Sequence, residues 1–148
     1  MDDALTHVEL TAINHIGIRV KELARSVEFY RRLGFEQLWY SDQHRVAGLR
    51  NPAGIDLNLI VNGDDASAGK NILVDVTPRY PGYTHVSFRV AAIDETVGLL
   101  AQNGIAVTEG PVNLGGEIAV FVRDPDGNVI ELAEIIGAPA DPASDVTS

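Results

Sequence analysis

Three side chains of metal-binding type, His15, His85 and Glu131, stand at corresponding places in a chain that is written twice. Gly34 follows His15 at the same interval as Gly104 follows His85. Between them Arg19 matches Arg89, Val20 matches Val90, Leu23 matches Ile93 and Val27 matches Val97. Further on, Asn51-Pro52-Ala53-Gly54 matches Asp124-Pro125-Asp126-Gly127, and the same step beyond each Gly leads to Asn58 and to Glu131. Self-similarity at so long a period means two like structural units. Two imidazoles and one carboxylate on one side of a cation leave open positions for substrate or oxygen. That donor set suits Fe2+ in oxygenases and also admits Mn2+, Ni2+, Co2+ or Zn2+. A cation held this way can grip two neighbouring oxygens of a small substrate and act as a Lewis acid.

The elements that must position these groups follow from periodicity. Ile13 to Val20 alternates, with Ile16, Ile18 and Val20 on one face and His15, Gly17 and Arg19 on the other. Val86, Phe88 and Val90 oppose His85, Ser87 and Arg89 in the same way. Period two with β-branched residues predicts half-buried strands. Leu23, Val27, Tyr30 and Leu33 then recur at helical spacing, as do Ile93, Val97 and Leu100, with Gly34 and Gly104 placed as left-handed caps. Further strands are predicted at about 36–41, 45–50 and 55–61, and at 106–112, 118–122 and 129–135. Alternation in the last strand of each unit puts Asn58 and Glu131 on the histidine face, away from the helices.

The expected fold is therefore α+β, with tandem βαβββ modules forming a curved, cup-shaped mixed sheet and helices on the outside. One domain spans 1–148, with module 1 at about 12–61, a linker at 62–82, module 2 at 83–136 and a flexible tail at 137–148. Ile72–Val76 could add a short strand within the joining segment. A lone strand histidine is ordinarily structural or solvated; equivalence across the repeat is what lifts His15 and His85 above that reading. The 124–128 segment reads as a hairpin turn whose Pro and Gly serve backbone angles. His7 reads as a solvated tail residue and His44 as a hairpin tip. Arg19 and Arg89 are candidates to pair with cavity carboxylates such as Asp56, or to meet an anionic substrate.

Bulk properties remove other classes. Hydrophobic content of 45% and charged content of 22% are ordinary for a globular protein of 148 residues. No apolar run is long enough to span a bilayer, and the first residues lack signal-peptide character, so a cytoplasmic location is expected and no membrane partner. A net charge of −10 repels polyanions, which argues against nucleic acid. The absence of cysteine excludes disulfides and thiolate metal sites.

The segments Asn14-His15-Ile16-Gly17-Ile18-Arg19-Val20, Ser26-Val27-Glu28-Phe29-Tyr30, Thr84-His85-Val86-Ser87-Phe88-Arg89-Val90 and Asp124-Pro125-Asp126-Gly127-Asn128-Val129-Ile130-Glu131-Leu132 resemble the vicinal oxygen chelate superfamily. That superfamily includes glyoxalase I, extradiol dioxygenases, fosfomycin-resistance transferases and bleomycin-resistance proteins. The resemblance covers about 12–136 and implies the glyoxalase/dioxygenase fold, one divalent metal per chain and a homodimer. It places ligands at His15, Asn58, His85 and Glu131. Asn58 departs from the His, Gln or Glu usual there, which leaves His15, His85 and Glu131 as the metal set and Asn58 as a cavity-lining residue. Extradiol enzymes carry a catalytic Tyr at the position of Phe121, which argues against ordinary catechol cleavage. By ligand count the resemblance favours dioxygenase-like chemistry on a small chelating substrate. A glyoxalase-like lyase or isomerase and a metal-free antibiotic- or metabolite-binding protein are the alternatives. No general acid or base stands out among Glu117, Tyr40, Tyr83 and His44.

Overall fold

The computed structural model describes residues 6–137, so the expected tail lies outside the described residues apart from Gly137. The first unit consists of β1 (Ile16–Arg19), α1 (Leu23–Arg32), β2 (Glu36–Ser41), β3 (Val46–Arg50) and β4 (Asp56–Ile60). The second repeats it with β5 (His85–Arg89), α2 (Ile93–Gln102), β6 (Glu109–Asn113), β7 (Glu117–Arg123) and β8 (Val129–Ile135). The tandem βαβββ architecture is thus observed. Each unit hydrogen-bonds into its own four-stranded mixed sheet, in the orders β1-β4-β3-β2 and β5-β8-β7-β6. In each, the first strand runs parallel to the last and the other pairings are antiparallel.

Several ends moved. β1 starts at Ile16 rather than Ile13, and β6 at Glu109 rather than Ala106. Arg45, expected to begin a strand, has φ of 55° and closes the β2–β3 turn that carries His44. The short strand expected at Ile72–Val76 is a run of turns instead. Asn71 Oδ1 accepts from the Leu73 amide at 3.0 Å, and Asp75 Oδ2 accepts from the Asn71 amide at 2.9 Å. Side-chain bonds of this kind offer the backbone an alternative to a sheet ladder. No helix among the described residues is long and apolar enough to cross a membrane.

Both helices end as the glycines predicted. Gly34 has φ of +94°, and the Phe35 amide reaches back to the Tyr30 carbonyl at 3.0 Å. Gly104 has φ of +69°, and the Ile105 amide bonds the Leu100 carbonyl at 2.9 Å. The helices and the inward faces of the sheets share one apolar core that draws on both units, including Tyr30, Leu57, Leu59, Leu100 and Ile130. Phe35 of the first unit meets Phe88 of the second with ring centroids 5.9 Å apart. His15, Gly17 and Arg19 on one side, and His85, Ser87 and Arg89 on the other, are exposed. The histidine faces therefore lie open.

A polar clasp joins the units beside that core. The 124–128 turn does more than reverse the chain. Buried Asp124 accepts the Tyr30 hydroxyl at 2.8 Å, and Asp126 accepts Arg25 Nη2 at 2.8 Å and the Lys21 amide at 3.3 Å. Asn128 Nδ2 donates to the Arg19 carbonyl at 3.1 Å. Among the described residues the matching turn of the first unit makes only local bonds, such as Asn51 Oδ1 accepting the Ile55 amide at 2.8 Å.

The joining segment is pinned to β7 by Asp75, which pairs with Arg123 at 2.6 and 2.8 Å. Hydrogen bonds from Arg123, then from the Asn71 amide, hold its carboxyl at about 2. A carboxyl depressed in the folded state contributes stability that is complete above its unfolded value of ~3.9 and lost as pH falls through the folded one. Acid titration of Asp75→Asn should therefore show a shallower loss of stability between those two values than wild type, followed by circular dichroism.

Candidate metal centre

In the second unit the parallel pairing of β5 and β8 sets Ser87 beside Glu131, and the antiparallel pairing of β7 sets Phe121 on its other side. Glu131 is 7% exposed, and the Ser87 hydroxyl donates to its Oε2. Oε1 faces His85 Nε2 at 3.9 Å. Thr84 Oγ1 lies 2.9 Å from His85 Nδ1, so Nδ1 is engaged and Nε2 is the ring nitrogen turned toward Glu131. The Phe121 ring meets the imidazole edge-on, with centroids 5.8 Å apart. A nearly buried carboxylate, oriented by a hydroxyl and facing an imidazole nitrogen, supplies two donors of metal-binding type.

The first unit repeats the pattern with different residues. His15 Nδ1 lies 2.6 Å from Asn14 Oδ1, an acceptor, so Nδ1 donates there and Nε2 is free. Asn58 takes the place of Glu131, between Gly17 and Gly48 instead of Ser87 and Phe121. Trp39 lies across Gly48; a Cβ there would come within 2.1 Å of the indole. The indole thus covers a position that must lack a side chain. His15, Trp39, Asp56 and Asn58 line a recess of about 230 Å³. Asp56 is held by Arg50 at 2.7 and 3.1 Å, and that bond lowers its carboxyl below the usual range.

The expected convergence of His15, His85 and Glu131 is only partly met within one chain. His85 and Glu131 come together, whereas His15 sits with Asn58 and Asp56. No group of three metal-ligating side chains forms among the described residues. His15 and His85 do share the wall of a cavity of about 590 Å³ between the starts of β1 and β5, together with Arg19 and Tyr83. The pairing of Arg19 with Asp56 is not formed: Arg19 Nε donates to Asn62 Oδ1 at 2.9 Å, and Asp56 belongs to Arg50. Arg89 lines a different cavity, beside α2. Phe121 lines a recess of about 260 Å³ with His85, as expected of a neighbour to the site.

Sequence reasoning named the candidate ligands and passed over the residues that hydrogen-bond them. Asn14 and Thr84 directly precede the two histidines and both carry an acceptor oxygen, so the repeat did contain that signal. Ser87 lies two residues beyond His85, on the same face. Two donors 3.9 Å apart can reach one cation at metal–ligand distances of ~2.0–2.2 Å with little closure. The geometry fits a cation at His85 and Glu131 that draws further ligands from elsewhere. Groups that orient metal ligands are typically worth ~10–100-fold in affinity. Thr84→Val should weaken Co2+ binding by about that factor, read by absorbance titration, with the fold unchanged.

The sequence model described as Glyoxalase/Bleomycin resistance protein/Dioxygenase superfamily matches residues 12–132. A lactoylglutathione lyase of Escherichia coli is 33% identical over 129 residues, covering 81% of this chain and 90% of that protein. The metallothiol transferase FosB of Staphylococcus epidermidis is 28% identical over 131 residues, covering 84% and 82% respectively. Among solved structures, a glyoxalase/dioxygenase from Nostoc punctiforme aligns with a TM-score of 0.68 at 23% identity, covering 91% of this chain and 98% of that one. That last likeness speaks for the fold alone.

Proposed function

We propose, on the premise that this chain belongs to the glyoxalase/bleomycin resistance protein/dioxygenase superfamily, that it is a divalent-metal enzyme for a small substrate bearing two adjacent oxygens. The observation that carries this reading is the His85–Glu131 pair, whose outer atoms are occupied by Thr84 and Ser87 while Nε2 and Oε1 face each other. His85 and Glu131 supply two ligands, and His15 of a second copy supplies the third. Open histidine faces support that assembly, as do the exposed apolar side chains of β2, Leu38 and Trp39. A twofold dimer sets module 1 of one copy against module 2 of the other twice over, giving two equal sites. The ligand set of nitrogen and oxygen donors accepts Fe2+, Mn2+, Ni2+, Co2+ or Zn2+.

When bound, the cation supplies Lewis acidity to the substrate oxygens. The chain's own part is to bind and orient. Ser87 fixes the carboxylate, Thr84 and Asn14 fix the imidazoles, and Asn58 brings an uncharged amide to the fourth position. Trp39 gives the first-unit recess an apolar wall.

Within this reading, redox-neutral chemistry, an isomerisation or addition, is favoured over oxygenation. Phe121 stands next to the imidazole and has no proton to give. The two named relatives are a lyase and a transferase, classes that involve no net oxidation. Protein purified without chelator is assayed under argon with α-ketoaldehydes and α-hydroxyketones, alone and with thiols, after loading with Co2+ or Ni2+. Turnover in the absence of oxygen is the expected result. Turnover confined to the Fe2+ form, with stoichiometric oxygen uptake on catechols, would establish the oxygenase instead. If no metal copurifies and His85→Ala leaves ligand binding intact, the chain is a metal-free binding protein.

A further inference from the structure

The repeat is broken in one place, and a cavity lies there. Register relates the units residue by residue: Gly48 lies beside Asn58 as Phe121 lies beside Glu131, so Asn51 corresponds to Asp124, Ala53 to Asp126 and Ile55 to Asn128. The helices align Tyr30 with Leu100, and the first strands align Arg19 with Arg89. On one side of the molecule the second unit's turn clasps α1. There the Tyr30 ring is fully buried, and two carboxylates, Asp124 and Asp126, complete the contact. On the other side the first unit's turn faces α2 across a cavity of about 250 Å³, whose wall includes Asn51, Ile55, Leu100 and Arg89. Asn51, Ile55 and Leu100, the counterparts of Asp124, Asn128 and Tyr30, line this space but do not fill it.

What is missing can be read from the filled side. Leu100 replaces an aromatic ring, Asn51 replaces one carboxylate and Ala53 replaces the other. The floor is apolar, with Phe35 and Phe88 in mutual contact. At the wall stand two guanidinium groups. Arg89 has no hydrogen bond or ion pair among the described residues. Arg32 makes only long contacts, to the Asn103 carbonyl at 3.3 Å and to Glu28 at 3.4 Å. In a chain of net charge −10, two cations on one apolar hollow are a local reversal of sign. The volume falls just below the ~300–1,000 Å³ of sites for drug-sized ligands, which suits a compact occupant.

We infer that this cavity, which neither His15 nor His85 lines, is a second ligand site, and that it takes a small aromatic monocarboxylate. The ring occupies the space that Tyr30 fills on the other side, over Phe35 and Phe88. The carboxylate meets Arg89, with Arg32 beside it.

The test uses full-length protein with EDTA present, so that no metal competes for the acid, and benzoate as the probe. Calorimetry or saturation-transfer NMR should show saturable benzoate binding, with benzyl alcohol at least about tenfold weaker because it lacks the charge. Arg89→Gln should weaken benzoate by about the same factor. Leu100→Tyr should abolish binding by supplying the ring in cis. Should that variant fail to fold, Arg89→Gln and the alcohol comparison decide alone. Absence of saturable binding at millimolar benzoate overturns the inference, and so does equal affinity in wild type and Arg89→Gln.

Discussion

Asp124→Ala is expected to lower the unfolding free energy by about 3–5 kcal/mol, the largest stability loss of any single polar substitution considered for this chain. Asp124 is 4% exposed and accepts four hydrogen bonds. Oδ2 takes the Tyr30 hydroxyl and Asn128 Nδ2, both at 2.8 Å, while Oδ1 takes the amides of Asp126 and Asn128, both at 2.9 Å. Removing the acceptor leaves the Tyr30 hydroxyl unpaired in a residue with no exposed surface, and each such buried donor costs ~1–3 kcal/mol. Tyr30→Phe removes only the hydroxyl and should cost about 1 kcal/mol, which separates the hydroxyl from the rest of the clasp. Urea unfolding of both variants at neutral pH measures the difference.

The same residue gives a pH signature. Burial raises the Asp124 carboxyl above its ordinary value, against the opposing bonds from Asn128 and Tyr30. The folded state therefore holds this proton more tightly than the unfolded chain. Its contribution is complete below the unfolded value of ~3.9 and declines as pH rises through the folded one, opposite in sign to Asp75. Asp124→Asn cannot titrate, so its stability should lack that decline. An Asp124→Ala protein as stable as wild type would mean that the clasp does not hold the units together.

The clasp also marks the limit of what the string discloses. Alternation at 15–20 and 85–90, helical spacing from Leu23 and Ile93, and glycines at 34 and 104 are local patterns, and local physics enforces them. How the two units pack is not local. It rests on the shared core and on Asp124 and Asp126, which read as turn residues because turns favour Asp. The departure from Asn51 and Ala53 was visible, but nothing in one strand or helix says which distant surface a turn will meet. Ile72–Val76 failed for a related reason. Its β-formers sit between Asn71 and Asp75, whose side chains close a turn by bonding nearby amides. The candidate ligand residues were legible through the repeat, and so was the open face that carries both histidines. Their meeting was not, because a strand pattern assigns a face and leaves the partner of that face open. Within one chain the fold joins His85 to Glu131, while His15 sits with Asn58 and Asp56 and shares with His85 only the wall of a larger cavity.

His85→Ala should abolish metal-dependent turnover and reduce metal affinity by about 100-fold or more. Sites of four protein ligands bind structural zinc with ~10–16 kcal/mol, so each ligand is worth on the order of 3 kcal/mol, about two decades in affinity. Glu131→Gln keeps the shape and one acceptor oxygen beside Ser87 but removes the charge, and its affinity should fall between the two. His15→Ala should look the same as His85→Ala in isolation, although within one chain His15 sits with Asn58 and Asp56 and only His85 faces Glu131. Mixing the variants distinguishes where the ligands come from. If His15 of one copy completes the His85–Glu131 pair of another, a heterodimer of His15→Ala and His85→Ala has one site lacking both imidazoles and one site fully intact. After denaturation and refolding of an equimolar mixture, half of the dimers are mixed and each carries one good site of two. Activity should then return to roughly a quarter of wild type, from two inactive parents. A site built inside each chain gives no recovery at any mixing ratio, because every such site would still lack one imidazole.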